Sequence, residues 1–241
     1  MLLAVIIPVY NERACFPRLL ERLEGTPPPA LPDGARAGRH LYIVDDGSTD
    51  GARDVVAALR GRPGVHVLLQ DRNRGKGAAI RAGLDAALAA PAPPDVILIQ
   101  DADLEYDPAD HAGLVGPILR GEADVVIGSR LLGGGPRRIG LLHALVNRAI
   151  TTLSNLRTGL RVTDMECGLK AFTRGVAARL DLREPRFGVE PEIVAKVARM
   201  TGVRVREVPV RYEGRSWRQG KKIGWRDGIS ALRCIWTYSR G

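Results

Sequence analysis

Short runs of apolar and β-branched residues alternate along this 241-residue chain with stretches whose apolar residues recur every three or four positions. This alternation is typical of a parallel β-sheet covered by helices, because each helix carries the chain back to the edge where the next strand begins. The pattern predicts strands at 2–9, 41–45, 65–69, 96–100, 124–127, 169–172 and 203–212. It predicts helices at 13–24, 52–59, 77–90, 109–120, 139–160, 189–200 and 223–238. We therefore expect an α/β protein with a mostly parallel central sheet flanked by helices, and a Rossmann-like nucleotide-binding front half.

The net charge of +9 is unevenly distributed, which bears on the kind of partner. Residues 1–129 carry 13 basic and 18 acidic side chains, residues 130–163 carry six basic and no acidic ones, and residues 204–241 carry ten and three. A protein that coats nucleic acid does not need an acidic front half, whereas one that holds a metal and an anionic substrate uses both signs. A nucleic-acid-binding or scaffolding role is therefore a distant alternative, and no nucleic-acid partner is expected.

The cysteines and the apolar runs bear on the compartment. Cys15, Cys167 and Cys234 are far apart and outside any C-x-x-C, so neither a disulfide framework nor a zinc site is predicted, and a cytoplasmic location is the default. The apolar opening segment is interrupted by Pro8 and lacks a basic leader, so we interpret it as a buried strand. Every apolar run is shorter than the roughly 18 residues of a membrane span, so any membrane contact is expected to be peripheral.

An acidic motif, QDADLE at 100–105, follows the strongly apolar run VILI. If the chain stays extended there, side chains two positions apart project to the same side, so Asp101, Asp103 and Glu105 would converge. Clustered carboxylates repel each other unless a cation lies among them, and oxygen ligands favour Mg²⁺ or Mn²⁺. The alternative is a solvated turn in which Asp107 caps the next helix. Because open α/β sheets bind ligands at the carboxyl ends of their strands, we prefer the metal site.

A second acidic pair, Asp45 and Asp46, ends another predicted strand and is followed by GSTDG at 47–51. Ser48, Thr49 or Asp50 is expected to cap the next helix. One of the two preceding aspartates can accept hydrogen bonds from a base or ribose. The chain lacks G-x-G-x-x-G after its first strand and lacks G-x-x-x-x-G-K-[ST], so neither a dinucleotide fold nor a P-loop is supported.

Three further segments could contribute to a site. Lys76 follows a Gly-rich turn before a predicted helix, where exposed N–H groups suit an anion. Asp164 breaks an acid-free stretch and is a turn residue, a general base or a residue that orients an acceptor. Arg215, Lys221 and Lys222 lie in a basic tail with two tryptophans, which is a solvated loop, a nucleic-acid patch or a clamp for a diphosphate.

Seven motifs in this order resemble the family 2 inverting glycosyltransferases with a GT-A fold, especially the dolichyl-phosphate and polyprenyl-phosphate sugar synthases. They are VIIPVYNE at 5–12, IVDDGSTDG at 43–51, RNRGKGAAIRAG at 72–83, QDADLEYDP at 100–108, VIGSR at 126–130, TDMECGLKAF at 163–172 and EGRSWRQGKKIGWRDG at 213–228. The resemblance implies a hexosyltransferase with a single GT-A domain over 1–241. Its nucleotide-sugar and metal half would be 1–129, and its acceptor and phosphate-clamp half 130–241.

The resemblance also implies roles for individual residues. The expected nucleoside-binding residues are Pro8, Tyr10 and Glu12, with Asp45 or Asp46. The metal-binding D-x-D would be Asp101 and Asp103, with Glu105 where some relatives place a further ligand. The cationic residues expected at the donor diphosphate or at an acceptor phosphate are Arg130, Arg215, Lys221 and Lys222, in addition to Lys76, which the Gly-rich turn suggests independently. Asp164 falls where many relatives keep an acidic residue near the acceptor, and we expect it to be catalytic together with Asp103 and Arg130.

The acceptor depends on whether a base is needed. Transfer from a nucleotide diphosphate sugar builds negative charge on the departing diphosphate, which a divalent cation and Arg or Lys side chains stabilise. A phosphate monoester acceptor is already anionic, whereas a sugar hydroxyl must lose its proton to a carboxylate such as Asp164. We favour a polyprenyl phosphate, with a soluble hydroxyl acceptor (a sugar or secondary metabolite) as the alternative.

One departure from the resemblance concerns the membrane. Many lipid-phosphate sugar synthases carry membrane helices after the catalytic domain, and this sequence stops at 239–241 without them. The apolar faces of 139–160 and 223–238 either lie on an anionic membrane at its cytoplasmic face or pack in the core. We expect the core packing.

Overall fold

The computed structural model describes residues 1–133, 141–215 and 225–239. Its strands are β1 (Leu2–Val9), β2 (Gly38–Asp45), β3 (Val65–Leu69), β4 (Val96–Ile99), β5 (Val125–Ser129), β6 (Lys170–Thr173) and β7 (Val205–Pro209). Its α-helices are α1 (Phe16–Gly25), α2 (Ala52–Ala57), α3 (Lys76–Leu88), α4 (His111–Leu119), α5 (Leu141–Thr158), α6 (Arg174–Ala177), α7 (Val189–Ala198) and α8 (Trp225–Tyr238). Every predicted strand and helix is confirmed, β1 and β3 with the predicted ends and the others with shifted ends, and the short α6 was not predicted.

All seven strands form one sheet in the order β3-β2-β1-β4-β6-β5-β7. The sheet is parallel except that β6 runs antiparallel to both β4 and β5, which confirms a mostly parallel α/β fold. Because β6 runs the opposite way, its first residue lies at the edge where β4 and β5 end. The segment that leads into β6, which contains Asp164, therefore reaches the same sheet edge as the acidic motif after β4.

Both faces of the sheet are covered. Alternate residues of β1 project to opposite sides, so Leu3 and Val5 pack with α1, α2 and α4, whereas Ala4 and Ile6 pack with α3 and α7. This double burial explains why the strand reads as a continuous apolar run. In the described part of the chain, no helix combines the length and apolar character needed to cross a bilayer.

Candidate active site

The chain turns immediately after β4, so the expectation of an extended D-x-D segment is wrong. Leu104 adopts a left-handed conformation with φ 63°, and the Asp103 carboxylate accepts the N–H of Glu105 at 3.0 Å. The turn still gathers acidic groups. Burial, and then the charges of Asp101 and Glu105, raise the pKa of Asp103 to about 7 against the opposing effect of Arg215. The carboxylates of Asp101 and Glu105 are therefore close enough to disfavour the ionisation of Asp103.

A segment after β7 lies over this turn and brings Arg215 to it. The two terminal nitrogens of Arg215 lie 2.9 and 3.0 Å from the Glu12 carboxylate, and one lies 3.2 Å from Asp103. Glu105 accepts the Tyr212 hydroxyl and the Arg215 backbone N–H, each at 2.8 Å. Arg215 thus binds carboxylates at the ends of β1 and β4, where the sequence led us to expect a phosphate ligand.

The expected residues Lys221 and Lys222 lie outside the described residues.

The acidic turn fits a divalent cation shared with a substrate. Among the described residues, no three His, Cys, Asp or Glu side chains are grouped closely enough to enclose a metal ion. Mg²⁺ commonly binds through one or two carboxylates plus substrate phosphates. Asp101 and Asp103 match that requirement, and the guanidinium of Arg215 already provides positive charge beside Asp103. Glu105 is engaged by Tyr212 and Arg215, so it contributes to the turn itself.

A buried chain of charges lies behind Asp101. The Lys76 ammonium is 2.7 Å from Asp101 and 2.8 Å from Glu190, and Glu190 also pairs with Lys170, whose side chain is fully buried. Burial alone would lower the pKa of Lys76, but Asp101 and Glu190 outweigh it and raise that pKa, so the amine stays charged. Lys76 holds Asp101 in place, and a donor phosphate would have to compete for it.

Sequence reasoning missed Lys170 and Glu190. The available signal was a lysine inside the apolar strand LKAF, because a buried amine in a central strand requires a buried carboxylate.

The aspartate pair after β2 organises the neighbouring loops. Asp46 accepts the backbone N–H groups of Arg74 and Gly75 at 2.7 and 2.8 Å, and Asp45 pairs with Arg53 at 2.9 Å. Both aspartates are buried. The Gly75 N–H at the start of α3 therefore donates to Asp46, whereas the sequence led us to expect a bound substrate anion there. A side chain at Gly47 would meet the backbone of Arg72 at 2.5 Å, so only glycine permits this close approach.

The first motif of the chain lies beside these loops. Glu12 is buried and paired with Arg215, whereas Pro8 and Tyr10 are partly exposed at the end of β1. The two partly exposed residues are the ones that a nucleoside can reach.

Arg130 and Asp164 form a buried ion pair at the end of β5. Two guanidinium nitrogens and the backbone N–H of Arg130 contact the Asp164 carboxylate at 2.6, 2.7 and 2.9 Å, and the Asn147 amide adds a bond at 2.8 Å. Burial would raise the pKa of Asp164, but the bonds from Arg130 and Asn147 reverse the effect and lower it. Asp164 is therefore suited to orienting Arg130 and poorly suited to accepting a proton.

Glu166, two residues further on, has the opposite character. Burial and the negative charge of Glu190 raise its pKa to about 7, despite Lys170 and Arg130 nearby. Its Oε1 atom is buried and has no hydrogen-bond partner in the described part of the chain. Glu166 was not singled out from the sequence, where it is one polar residue of a predicted turn.

Carboxylates at the ends of β1, β2 and β4 and an arginine at the end of β5 thus lie along one edge of an open sheet, in a fold of the GT-A glycosyltransferase type. Residues 4–180 match the family model described as glycosyl transferase family 2, and the chain belongs to that family. It is an enzyme of the glycosyltransferase class.

Two relatives carry the name of a polyprenol or undecaprenyl phosphate compound. The chain is 32% identical over 203 residues to an undecaprenyl-phosphate 4-deoxy-4-formamido-L-arabinose transferase of Aeromonas hydrophila, covering 83% of this chain and 57% of the relative. It is 33% identical over 181 residues to the polyprenol monophosphomannose synthase of Mycolicibacterium smegmatis, covering 74% and 64%. The chain thus spans about three fifths of the length of these two relatives.

Solved structures agree on the fold. The glucosyl-3-phosphoglycerate synthase of Mycobacterium tuberculosis, in complex with Mn²⁺, uridine-diphosphate-glucose and phosphoglyceric acid, superimposes with a TM-score of 0.71 at 21% identity over 98% of this chain and 79% of that one. The same enzyme has also been solved with Mg²⁺ and uridine-diphosphate, with a TM-score of 0.69 at 21% identity over the same shares of the two chains.

Proposed function

We propose that this glycosyltransferase moves a sugar, with inversion, from a nucleotide diphosphate sugar to a polyprenyl phosphate. The observation that carries the choice of acceptor is the Arg130–Asp164 pair. Its carboxylate is bound by a guanidinium and an amide and has a lowered pKa, so it is a weak base. A phosphate monoester needs no base because its oxygen is already anionic. The two relatives whose names specify polyprenyl or undecaprenyl phosphates support the same acceptor.

On the donor side, Pro8 and Tyr10 line the nucleoside, and the buried aspartates after β2 keep the surrounding loops in position. The donor's diphosphate lies toward Asp101 and Asp103. Arg215 is now paired with Glu12 and Asp103. When the donor binds, the Arg215 guanidinium exchanges these carboxylates for oxygens of the diphosphate. Lys221 and Lys222 remain proposed phosphate ligands on sequence grounds.

A divalent cation, Mg²⁺ or Mn²⁺, would be held by Asp101 and Asp103. When bound, it supplies charge stabilisation to the departing diphosphate. Lys76 orients Asp101, because its ammonium lies 2.7 Å from that carboxylate. The acidic turn itself favours a cation, because burial and then the charges of Asp101 and Glu105 raise the pKa of Asp103 to about 7, and a positive charge nearby would offset both effects.

On the acceptor side, Arg130 attracts the phosphate and Asp164 fixes the guanidinium. The bidentate contact and the bond from Asn147 leave Arg130 little rotational freedom. A preorganised cation of this kind aligns the phosphate oxygen for attack on the anomeric carbon from the side opposite the diphosphate.

A second candidate is transfer to a soluble hydroxyl acceptor, and Glu166 favours it. A carboxylate with a pKa of about 7 and an unpaired buried oxygen has the properties of a general base. In that reaction Glu166 would take the proton of the acceptor hydroxyl.

The test is a transfer assay with a panel of nucleotide diphosphate sugars, each with Mn²⁺, and with two acceptor classes. One class is a polyprenyl phosphate in detergent, and the other is a set of free sugars and hydroxylated metabolites. We expect product from the polyprenyl phosphate, a loss of about a hundredfold or more in Arg130→Gln, and little change in Glu166→Gln. The exposed Arg199 supplies the matched control, Arg199→Gln, which should retain wild-type activity.

The metal role is tested in the same assay. Asp103→Ala should abolish metal-dependent turnover, whereas Asp85→Ala, at an exposed carboxylate of α3, should not. Full activity of Asp103→Ala would contradict the metal assignment. Robust transfer to a soluble acceptor that is lost in Glu166→Gln, with none to the polyprenyl phosphate, would replace the proposed acceptor by the second candidate.

A further inference from the structure

The long helix α5 packs Ile150 and Leu153 on the core, but it also buries polar side chains and exposes large apolar ones. Its Thr151 and Ser154 side chains are buried at 2% and 0% exposure, whereas Leu145 and Leu156 are 66% and 79% exposed. The exposed leucines are eleven positions apart, about three turns, so they lie on one face of the helix. A surface helix in water normally presents the opposite arrangement.

The inward polar face is tied to the active site, which fixes the rotation of α5. Asn147 donates to Asp164, and the Thr151 hydroxyl accepts the N–H of Met165 at 3.2 Å. One turn further on, the Asn155 amide exchanges two hydrogen bonds with the backbone of Val162. Turning the leucines inward would break these bonds. The apolar face is therefore directed outward by the same contacts that hold the Asp164 segment.

The neighbouring helix α8 continues this apolar surface. Leu232 and Trp236, four positions apart, are 44% and 52% exposed. The Arg157 guanidinium of α5 lies 3.5 Å from the centroid of the Trp236 ring, so the two helices meet at their solvent faces. We call the exposed side chains of Leu145, Leu156, Leu232 and Trp236 the outer face.

The charge around the outer face is positive and favours a negatively charged partner. On α5, Arg148 is exposed three positions from Leu145, and the guanidinium of Arg157 lies over the Trp236 ring. The sequence from 125 to 163 contains no acidic residue that would offset these charges. Apolar side chains with a tryptophan and arginines beside them suit the boundary between the headgroups and acyl chains of an anionic bilayer. A protein surface would need to match both features, whereas anionic lipid supplies them together.

We propose that the outer face docks on an anionic lipid bilayer and so brings the Arg130–Asp164 end of the active site to the membrane surface. The purpose of the docking rests on the proposed function, since a polyprenyl phosphate is reached at a bilayer, but the docking itself can be measured without any substrate. The outer face is the reason to revise the sequence-based expectation that both helices are ordinary core helices.

The experiment is a flotation assay of the whole chain with vesicles, without donor or acceptor. We expect wild-type protein to bind vesicles of equimolar phosphatidylcholine and phosphatidylglycerol more tightly than phosphatidylcholine alone, with binding weakened by salt. In Leu145→Gln/Leu156→Gln the partition coefficient should fall about a hundredfold, at about tenfold for each leucine removed from the bilayer. Ala112→Gln, at an exposed position of α4 on the opposite face of the sheet, should bind as wild type.

Failure of wild type to bind anionic vesicles, or equal binding by the double glutamine variant, would overturn the proposal. A dimer seen by light scattering that the double variant dissociates, with unchanged vesicle binding, would assign the outer face to a second copy and also overturn it. An unchanged thermal midpoint verifies that the variant is folded, since both substitutions lie at exposed positions. Vesicle binding by wild type without transfer to any polyprenyl phosphate would uphold the docking and reject the proposed function, so the two failures are distinguishable.

Discussion

The buried pair of Arg130 and Asp164 gives a stability prediction that depends only on the described structure. Asp164 is fully buried, and the Arg130 side chain is 13% exposed. In Asp164→Asn the shape is kept, but the guanidinium loses the only negative partner that contacts it among the described residues. Removing one member of a buried pair typically costs 3–5 kcal/mol, because the remaining charge stays desolvated. We expect about 3 kcal/mol, since the new amide oxygen can still accept one bond.

The assay is equilibrium unfolding in urea, followed by circular dichroism. A loss of about 3 kcal/mol is a large share of the 5–15 kcal/mol that holds a typical domain together, so the midpoint should move clearly at an unchanged slope. The matched control is Asp181→Asn, which breaks a pair with Arg183 in which both side chains are 69% exposed. That variant should unfold as wild type does, because exposed pairs contribute little.

The pH dependence gives an internal check. The folded pKa of Asp164 is lowered, so its stabilisation is fully present above the unfolded value of about 3.9 and is lost as the pH falls through the folded value. The difference between wild type and Asp164→Asn should therefore be constant near neutrality and shrink only below about pH 4. A difference under about 1 kcal/mol, or one that already shrinks near neutral pH, would refute the buried-pair reasoning.

Three further predictions use other parts of the site. Gly168→Ala should lower Mn²⁺-dependent donor turnover at least about tenfold in initial-rate assays, because a Cβ there would lie 2.2 Å from an Asp101 carboxylate oxygen; unchanged rates would contradict this. Lys76→Met should lower the free energy of unfolding in urea by about 3 kcal/mol, because it removes the ammonium between two carboxylates, Asp101 and Glu190; a neutral effect would count against that network. Burial lowers the pKa of His111 to about 3, so wild type should lose about 1.4 kcal/mol of stability per pH unit as the pH falls below about 6.5. In His111→Gln the free energy of unfolding should change less steeply between about pH 6.5 and 5. An equally steep change in the variant would exclude His111 as the cause.

Most of the fold could be predicted because local pattern determines it. The apolar runs of β1 and β3 end where the strands end, and the helix period locates α3 and α7 to within two residues. The place and direction of β6 in the sheet could not be predicted. A four-residue strand carries no signal of its direction, and its pairing with β4 joins segments that are far apart in the sequence.

The site was predictable at strand ends and less so between them. Asp101 and Asp103 were expected there because strand ends meet at one sheet edge, but the turn after Ile99 depends on a left-handed Leu104, which no residue preference indicates. Arg215 was expected to bind phosphate because of its charge and the family resemblance. Its contact with Glu12 depends on how the tail folds back over the sheet, which is a long-range property.

The antiparallel strand β6 also limits how the protein can fold while it is being synthesised. β4 and β5 are not neighbours in the sheet, and both form their hydrogen bonds with β6. Both strands leave the ribosome well before Lys170. Until β6 is synthesised, the backbone N–H and C=O groups that will pair with it are unpaired and can pair with a wrong strand. A fragment that ends before β6 should therefore aggregate, so we expect that residues 1–129 and 130–241 do not fold as separate units.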